Sequence, residues 1–437
     1  FPEARISLDL WFGDAAQCFP LISSKQPIHA WFLDGFAPSC NPELWQDQIF
    51  SQIIRLSAPG TTFASFSVAG VLKRALQSYG VHITRPKGFG HKREMLKAVW
   101  QTVQDRSPIA EAISPQISQV SIVGAGIAGL NCAWRLAQRG IKVVIYDESA
   151  PLSGGSGNPL AMLNPKLSPI SQVAIHLMTI GWQYALRFYS QFTAFRPIQI
   201  QQSIEQKNLE SSKQLLADYP PQILSLHDQS DTPYLVLHKA GALQPQQFAE
   251  VILAHPLIEF KQAKIEKIKQ LSDQVYGLYD QQQLLDRATH IIVCNALALN
   301  QLLPDTPRLK PIRGQVSWVN MPQPFVTQQY YTGYSYGGYA MPLDQNQLIF
   351  GASFLPQQTE TDTRIEDHQH NLDLMTQILP NLADQLPPIA KWHGRAALRA
   401  QTADYFPLVG QVDETKPELY CLAGLGSKGF LFAPICS

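Results

Sequence analysis

Residues 120–130 read VSIVGAGIAGL, an apolar run that leads into glycines spaced as G-x-G-x-x-G. A stretch with helical character follows as far as Arg139, and a second apolar segment over 142–146 ends at Asp147. A strand, a glycine turn, a helix and a second strand, in this order, form the dinucleotide-binding unit of doubly wound sheets. The stretch therefore predicts an α/β unit with a nucleotide site at the start of its helix.

The residues of this turn have distinct physical roles if a pyrophosphate binds there. Gly124 permits the tight turn, Gly126 lets the backbone approach the phosphates, and Gly129 lets the helix pack closely on the strands. Ala125, between the first two glycines, is predicted to belong to the same site. The positive end of the helix dipole favours the phosphates. Asp147 lies about 20 residues further on, where a carboxylate can accept hydrogen bonds from ribose hydroxyls.

A membrane span is the alternative for residues 121–137, which are mostly apolar. Asn131, Arg135 and the glycines interrupt this run, which is also shorter than the roughly 20 residues that a span requires. The nucleotide site is therefore favoured, and no membrane association is expected.

The composition is that of a globular chain with room for two or more domains. Of its 437 residues, 45% are apolar, which suffices for packed cores. The 34 basic residues balance 34 acidic ones. Any surface for a nucleic acid must therefore be local.

The six cysteines are scattered, with no C-x-x-C pair and no histidine cluster at metal-ligand spacing. We therefore expect neither a disulfide framework nor a metal site, and we expect a reducing, cytoplasmic location. The N-terminus lacks the basic start and apolar core of a signal peptide. The chain begins with Phe1 rather than Met, and both ends look cut, so a fragment is expected.

Short apolar strands alternate with helices in the first hundred residues. A first strand ends at Asp14 and a second runs into Asp34. The later elements predicted there are helices over 42–56 and 68–79 and a strand over 60–66. This alternation predicts a mostly parallel sheet with its chemistry at the carboxyl ends of the strands. On spacing alone, two interpretations of each aspartate are equally good: a turn or cap residue, or a functional residue.

Three motifs of this region closely resemble the methyltransferase half of the MnmC family, the bifunctional tRNA 5-methylaminomethyl-2-thiouridine biosynthesis proteins. They are DLWFGD at 9–14, AWFLDGFAP at 30–38 and KGFGHKREML at 87–96. The resemblance implies a class I, Rossmann-like fold that uses S-adenosylmethionine. It further implies that Asp14 contacts the adenine amine and that Asp34 holds or deprotonates the amine that receives the methyl group. A protonated amine has no lone pair for the attack, so a carboxylate acceptor is chemically sensible.

The glycine-rich loop with which this class binds the methionine moiety does not precede Asp14. We therefore expect the first hundred residues to be the later part of a methyltransferase domain, with weak or no binding of S-adenosylmethionine.

A basic segment at 85–97 includes the third motif. Its members surround Phe89 and are Arg85, Lys87, His91, Lys92, Arg93 and Lys97. The segment is interpreted either as a phosphate-facing patch for tRNA or as a solvated hairpin at a sheet edge.

The part after Asp147 carries further candidate nucleotide contacts. The loop residues Ser156, Gly157 and Asn158 follow repeated glycines, for which a plain flexible loop is the alternative. A buried strand over 290–294 ends at Asn295. Near the C-terminus a strand is followed by a glycine turn and the start of a helix, with the candidates Gly426, Ser427, Lys428 and Gly429.

Between these segments, residues 312–354 alternate aromatic residues and glycines, which predicts antiparallel strands. Their tyrosines are interpreted either as cover for a flat cofactor or as packing for a sheet face.

Taken together, these segments resemble the second half of the MnmC family and, more distantly, the glycine and sarcosine oxidase group of FAD-dependent amine oxidases. The implied fold class is α/β and α+β: a partial class I methyltransferase domain, then a FAD-binding Rossmann domain with an antiparallel-sheet substrate domain of the glycine and D-amino acid oxidase type. The expected domains are the methyltransferase part at 1–100, a linker at 101–118 and the FAD-dependent oxidoreductase at 119–437. Within the last, FAD-binding parts are expected at about 119–170, 240–300 and 395–437, and substrate-covering parts at about 171–239 and 301–394.

The resemblance also implies a reaction. In this family the flavin half oxidises the carboxymethylaminomethyl group on the wobble uridine of the tRNA anticodon loop, which leaves an aminomethyl group. The methyltransferase half then methylates that amine. The resemblance therefore implies FAD as cofactor, S-adenosylmethionine as co-substrate and tRNA as partner.

A substrate with a carboxylate requires a cation to hold it, and arginine can do so with two parallel charge-assisted bonds. Arg399 matches the arginine of the related oxidases' Leu-Arg motif and is the first candidate, with Arg395 the second. A structural ion pair is the alternative for either. Tyr331, Tyr339 and Lys428 are weaker candidates.

Two other functions stay open. One is an oxidase of free glycine-like amines, which would need neither a methyltransferase part nor a basic segment. The other is a catalytically incomplete tRNA-docking fragment, which would be colourless because it holds no flavin.

Overall fold

The computed structural model describes most of the chain, which forms two compact units, Phe1–Gln116 and Ile117–Ser437. The described residues are 11, 13–22, 27–35, 38–88, 93–101, 117–173, 175–228, 232–272, 274–413, 415–416 and 418–437. Most of the predicted linker at 101–118 and parts of the three N-terminal motifs, including Phe89, His91 and Lys92, lie outside the described residues.

The first unit is built on a four-stranded sheet. Its described helices and strands are α1 Ala15–Cys18, β1 Ile28–Phe32, α2 Asp47–Arg55, β2 Ser57–Ser65, α3 Gly70–Ser78, β3 Val81–Thr84 and β4 Leu96–Trp100. The predicted helix over 42–56 is divided into a 3-10 turn at Pro42–Trp45 and α2. Apolar residues of α2 and α3, among them Phe50 and Leu72, are buried with Phe63 in one core.

The strand order of this sheet is β1-β2-β4-β3. The pair β1 and β2 is parallel, but β4 runs antiparallel to both of its neighbours. The prediction of a mostly parallel sheet is therefore wrong for the described strands. The physical reason is that β3 and β4 are the two arms of a hairpin, whose antiparallel pairing continues beyond the strands at Lys87 and Glu94.

The second unit contains two large sheets and a small one. Its described strands are β5 Gln119–Val123, β6 Lys142–Asp147, β7 Ala161–Leu163, β8 Phe195–Ser203, β9 Leu224–His227, β10 Tyr234–Leu243, β11 Ile258–Gln262, β12 Lys267–Ser272, β13 Val275–Asp280, β14 Gln283–Ala288, β15 Ile291–Val293, β16 Lys310–Asn320, β17 Thr332–Ser335, β18 Tyr339–Pro342, β19 Gln347–Gly351, β20 Leu355–Pro356, β21 His393–Gln401, β22 Leu408–Gln411 and β23 Leu419–Ala423. Its described helices are α4 Ile127–Ala137, α5 Ile170–Val173, α6 Leu177–Tyr189, α7 Leu209–Asp218, α8 Pro245–Leu253, α9 Leu299–Leu302, α10 Thr327–Tyr330, α11 Ile365–Ile378, α12 Pro380–Ala383 and α13 Gly429–Cys436.

The first large sheet has the order β11-β6-β5-β15-β23-β22 and is parallel except for β22 at its edge. The central strand β5 is buried from Val120 to Val123, because a parallel strand covered on both faces is apolar throughout. The chain passes from β5 through α4 to β6, and Gly140, with φ +77°, ends the helical segment. The predicted Rossmann unit is confirmed.

The second large sheet has the order β20-β16-β19-β18-β17-β8-β10-β7, with β21 on β16 and β9 on β10. Its strand pairs are antiparallel except for β8 with β17. The antiparallel strands predicted over 312–354 are confirmed as β16 to β19. Strand β21 pairs along its whole length with β16, so it belongs to this sheet.

The small sheet consists of β12, β13 and β14. Among the described residues, no helix combines the length and the apolar character needed to cross a bilayer. In the same part of the chain, no three His, Cys, Asp or Glu side chains come together as a metal-binding group.

Candidate active site

The second unit contains an open cavity of about 970 Å³ between its two large sheets. One side is formed at the carboxyl ends of β5, β6, β15 and β23, and the other by residues of β7, β18 and β21. Carboxyl ends of parallel strands are where doubly wound sheets bind their ligands. The predicted site residues that line this cavity are Gly124, Gly126, Asp147, Ser156, Asn158, Asn295, Arg399, Gly426, Ser427, Lys428 and Gly429.

The three glycines of the turn differ in whether contacts within the protein require a residue without a side chain. A Cβ on Gly124, whose φ is +109°, would lie 2.5 Å from the carbonyl oxygen of Cys294, and one on Gly129 would lie 1.9 Å from the carbonyl oxygen of Gly124. Both positions therefore need glycine for the fold itself. A Cβ on Gly126 would meet only Ser156 Oγ, at an ordinary 3.5 Å. The protein alone does not require glycine at 126, so the space there fits a group that approaches the backbone closely.

Polar atoms surround the start of α4. Ser156 Oγ accepts a hydrogen bond from the backbone N–H of Ile127 at 3.1 Å. Asp147 accepts one from Ala125 N at 2.7 Å and another from Ser149 N at 3.0 Å. Each carboxylate oxygen can accept a second bond, so Asp147 is able to fix the turn and to receive a ribose hydroxyl.

Asn295 follows β15 and lines the same cavity. Its buried side-chain oxygen has no hydrogen-bond partner in the described part of the chain. A buried unsatisfied oxygen costs about 1–3 kcal/mol, which a donor on a bound molecule would recover. Together with the open space at Gly126, this oxygen indicates that the residues present fit a dinucleotide.

Lys428 lies in the turn that leads into α13 and also lines the cavity. Its Nζ donates a hydrogen bond to the carbonyl oxygen of Asn164 at 2.8 Å. Burial lowers the pKa of Lys428 to about 8. Within the described residues it has no carboxylate within 4.0 Å, so its charge is available to a bound molecule.

Arg399 is carried by β21, directly opposite Ile312 of β16. Its Nη1 donates to the carbonyl oxygen of Ser353 at 3.2 Å. Burial lowers the pKa of Arg399, yet it forms no ion pair with any described carboxylate. The neighbouring phenol of Tyr339 has its pKa raised to about 12 by burial. A buried cation without a counter-ion in a cavity is suited to an anionic ligand.

Gly314 of β16 makes room for this cation, a role that the sequence did not reveal. A Cβ there would lie 2.2 Å from Nη1 and 2.4 Å from Nη2 of Arg399. Sequence patterns predict only antiparallel strands over 312–354. The available signal for this role is a glycine inside a buried strand, which often marks a close approach.

Arg395 has a different environment, although it lies on the same strand. Its Nη2 donates to the carbonyl oxygens of Ser153 at 2.7 Å and Gly154 at 2.5 Å, and its Nη1 donates to Asn158 Oδ1 at 3.3 Å. It does not line the cavity. These bonds hold the loop that contains Ser156, and the assignment of Arg395 as a second carboxylate ligand stays a prediction.

Four other candidates also lie outside the cavity lining, namely Ala125, Gly129, Gly157 and Tyr331. Ala125 is fully buried and its N–H is bonded to Asp147. A Cβ on Gly157 would lie 2.1 Å from the carbonyl oxygen of Leu152, so this glycine serves packing, as Gly129 does. Tyr331 is 43% exposed, and its ring contacts that of Tyr330.

The candidates of the first unit are exposed. Asp14 caps α1, since its Oδ1 accepts a hydrogen bond from Ala16 N at 2.7 Å. Asp34 follows β1. Arg85 forms an exposed ion pair with Glu94 at 3.3 Å beside the edge strand β3. The cap interpretation of Asp14 is confirmed, while nucleotide, amine and RNA contacts of this unit stay predictions.

Comparison with known proteins divides the chain into two parts, in the same order as the two units of the structure. Residues 1–101 match the family model of S-adenosyl-L-methionine-dependent methyltransferases, and residues 119–437 match that of FAD dependent oxidoreductases. The tRNA 5-methylaminomethyl-2-thiouridine biosynthesis bifunctional protein MnmC of Acinetobacter baylyi is 52% identical over 446 residues, which cover 100% of this chain and 71% of that protein. The protein of the same name from Psychrobacter cryohalolentis is 37% identical and is covered to 70% by this whole chain.

Solved structures support the fold of the second unit. Glycine oxidase from Bacillus cereus aligns with a TM-score of 0.59 at 19% identity, over 73% of this chain and 92% of that one. Iminodiacetate oxidase from Chelativorans aligns with a TM-score of 0.60 at 17% identity, over 72% and 92%. At these identities the likeness shows the fold alone.

Proposed function

The chain belongs to the MnmC family of tRNA 5-methylaminomethyl-2-thiouridine biosynthesis bifunctional proteins, and on that premise we propose that its second unit oxidises the carboxymethylaminomethyl group of a tRNA wobble uridine. It is an enzyme with a methyltransferase part and a FAD-dependent oxidoreductase part. The proposed product of the oxidation is an aminomethyl group, which the methyltransferase activity converts to methylaminomethyl.

The residues at the carboxyl ends of the parallel strands would hold the FAD. The open backbone at Gly126 and the start of α4 suit the pyrophosphate, Asp147 suits a ribose, and Asn295 offers an acceptor. When bound, the flavin supplies an acceptor for hydride from the carbon next to the substrate nitrogen. The positive charge of Lys428 would add favourable electrostatics to the same cavity.

The proposal is supported chiefly by the surroundings of Arg399. It is a buried cation in the cavity, held by one backbone carbonyl and by no described carboxylate. Its planar fork can bind both oxygens of a carboxylate, which fixes the direction of the attached carbon as well as its distance. A carboxymethylamine bound in this way presents its methylene hydrogens in one orientation, which is a large part of catalysis by positioning.

The remaining chemistry needs little from the protein. Loss of hydride from the methylene carbon that carries the carboxylate, and of the proton on nitrogen, gives an imine. Addition of water then splits the imine into an aminomethyl group and a two-carbon oxo acid. Hydrolysis of an imine requires no dedicated catalytic base, which agrees with a cavity whose described lining contains no histidine.

For the second step we propose Asp34 as the acceptor that keeps the aminomethyl nitrogen unprotonated and Asp14 as a contact of the S-adenosylmethionine adenine. Both lie on loops after strands or before helices in the first unit and are exposed. An exposed carboxylate can accept a proton from a bound amine.

The decisive experiment mixes the purified, flavin-loaded chain with tRNA that carries the carboxymethylaminomethyl group, in the absence of air, and follows flavin absorbance. We expect bleaching with this tRNA and little with free glycine. The Arg399→Gln variant should bind flavin but bleach far more slowly, whereas Arg55→Gln, an exposed arginine of the first unit, should behave as the unaltered chain. Faster bleaching with glycine than with tRNA would instead favour an oxidase of free amines, and a colourless chain that still binds tRNA would favour a docking role.

A further inference from the structure

Phe354 is an aromatic side chain of the cavity that the protein core does not use. It is 49% exposed, although it lines the cavity. It belongs to none of the four core clusters formed by the described residues. Among these residues, no other aromatic ring stacks on it. About half of this residue's surface is therefore accessible to a bound molecule.

The position of this ring relative to Arg399 is fixed by the sheet. The guanidinium carbon lies 5.8 Å from the ring centre. Arg399 belongs to β21, and Phe354 directly precedes β20. The two residues lie on either side of β16, because β20 and β21 both pair with β16 at Ile312. Arg399 also bonds to the carbonyl oxygen of Ser353, the residue before Phe354. The cavity thus presents a flat apolar surface and a cation at a set separation.

The proposed substrate has matching parts. Its carboxylate and its pyrimidine ring are joined by a chain of four single bonds, which spans about 5 Å when extended. A base stacked on Phe354 next to the guanidinium can therefore approach Arg399 with its carboxylate, since the guanidinium carbon lies 5.8 Å from the centre of the ring. Free glycine has the carboxylate but no ring, and it would use only Arg399.

We propose that Phe354 is the stacking surface for the wobble uracil, and that it gives an oxidase-type cavity its preference for a nucleoside. This inference rests on the proposed function and deepens it. Bases of single-stranded RNA loops are commonly splayed out and stacked on aromatic side chains. The same ring holds the base while Arg399 holds the far end of its substituent.

The test compares two substrates in one measurement. The ratio of kcat/KM for the modified tRNA to kcat/KM for N-ethylglycine is measured by anaerobic flavin bleaching with the full chain. Removing one aromatic stack on a base typically weakens binding about tenfold. Phe354→Ala should therefore lower the ratio about tenfold, and Phe354→Trp should have the same ratio as the unaltered chain. Phe406→Ala is the matched control, because Phe406 is 53% exposed and does not line the cavity.

The possible results of this test distinguish failure of the Phe354 inference from failure of the proposed function. If the unaltered chain bleaches with N-ethylglycine but not with the tRNA, the proposed function fails, and this inference fails with it. If the unaltered chain bleaches with the tRNA while Phe354→Ala keeps the same ratio, only this inference fails. It also fails if Phe354→Leu restores the ratio as well as Phe354→Trp, since bulk rather than a flat ring would then be sufficient. Flavin content and melting temperature of each variant show that the protein is folded.

Discussion

Replacement of Gly314 by alanine should displace Arg399 without disturbing the fold. The new methyl carbon would lie 2.2 to 2.5 Å from the three outer atoms of the guanidinium, whereas ordinary contact begins at 3.4 Å. The guanidinium is the free end of a flexible side chain, so it can retreat by about 1 Å into the cavity that it lines. The change therefore acts on the position of the cation rather than on backbone packing.

The size of the effect follows from that shift. A displacement of about 1 Å in a group that positions the substrate can reduce the rate by roughly 100-fold, or about 2.7 kcal/mol. We expect Gly314→Ala to lose about this much in kcat/KM for carboxylate substrates. Flavin content and melting temperature should stay close to those of the unaltered chain, because the affected atoms lie away from the turn at Gly126.

The assay is anaerobic flavin bleaching with the modified tRNA and with N-ethylglycine. Gly337→Ala is the matched control, since Gly337 lines the same cavity but its Cβ would meet only Leu374 Cδ2, at 3.5 Å. If Gly314 acts only through Arg399, adding Gly314→Ala to Arg399→Ala should cause little further loss. Full activity of Gly314→Ala, or an equal loss in the Arg399→Ala background, would refute the reasoning.

Three further predictions concern folding and cofactor binding. Gly126→Ala should purify without flavin and melt at the temperature of the flavin-free unaltered chain, whereas Gly129→Ala should not fold, because its Cβ would lie 1.9 Å from a carbonyl oxygen. Normal flavin content in the first variant would show that Gly126 does not face the pyrophosphate. In the flavin-free protein the pKa of Lys428 is lowered from 10.5 to about 8 by burial, so the unfolded chain binds more protons between these values and the free energy of unfolding should rise with pH across that window. Urea denaturation of Lys428→Met should lack that part of the rise, and an unchanged pH dependence would contradict the shift. Asp367→Asn leaves the fully buried Arg313 without its counter-ion and should cost about 3–5 kcal/mol of unfolding free energy, with Asp373→Asn on the exposed face of α11 as control.

The fold of the nucleotide sheet was predictable from the sequence because several local signals there agree. The apolar strand, the glycine spacing, the helix and the terminal acid all belong to one continuous stretch, and each has a separate physical cause. The structure adds that two of the three glycines are required by backbone contacts within the protein. Spacing alone could not separate Gly124 from Gly126, because the atoms that distinguish them, those of Cys294 and Ser156, come from distant parts of the chain.

The sheet of the first unit shows a limit of the same method. Alternation of strands and helices correctly predicts an α/β unit there, and β1 with β2 is parallel as expected. The alternation ends at β3, after which the chain returns directly as β4 between β2 and β3. Local patterns do not reveal such an insertion, because the apolar residues of an inserted strand look alike in either direction.

The two arginines of β21 show why a site needs tertiary structure. Arg395 and Arg399 are four residues apart, and side chains at even spacing point to the same face of a strand. Periodicity therefore gives them the same orientation, and both are plausible ligands for a carboxylate. What separates them lies on other elements. Loop carbonyls at Ser153 and Gly154 accept hydrogen bonds from Arg395, whereas Gly314 leaves space that the guanidinium of Arg399 fills. An arginine whose donors are satisfied by the backbone stabilises a loop, whereas one whose donors remain largely free in a cavity can bind a substrate. The distinction therefore rests on partners of Arg395 that lie more than a hundred residues away in the chain, and on the absence of a side chain at Gly314 beside Arg399.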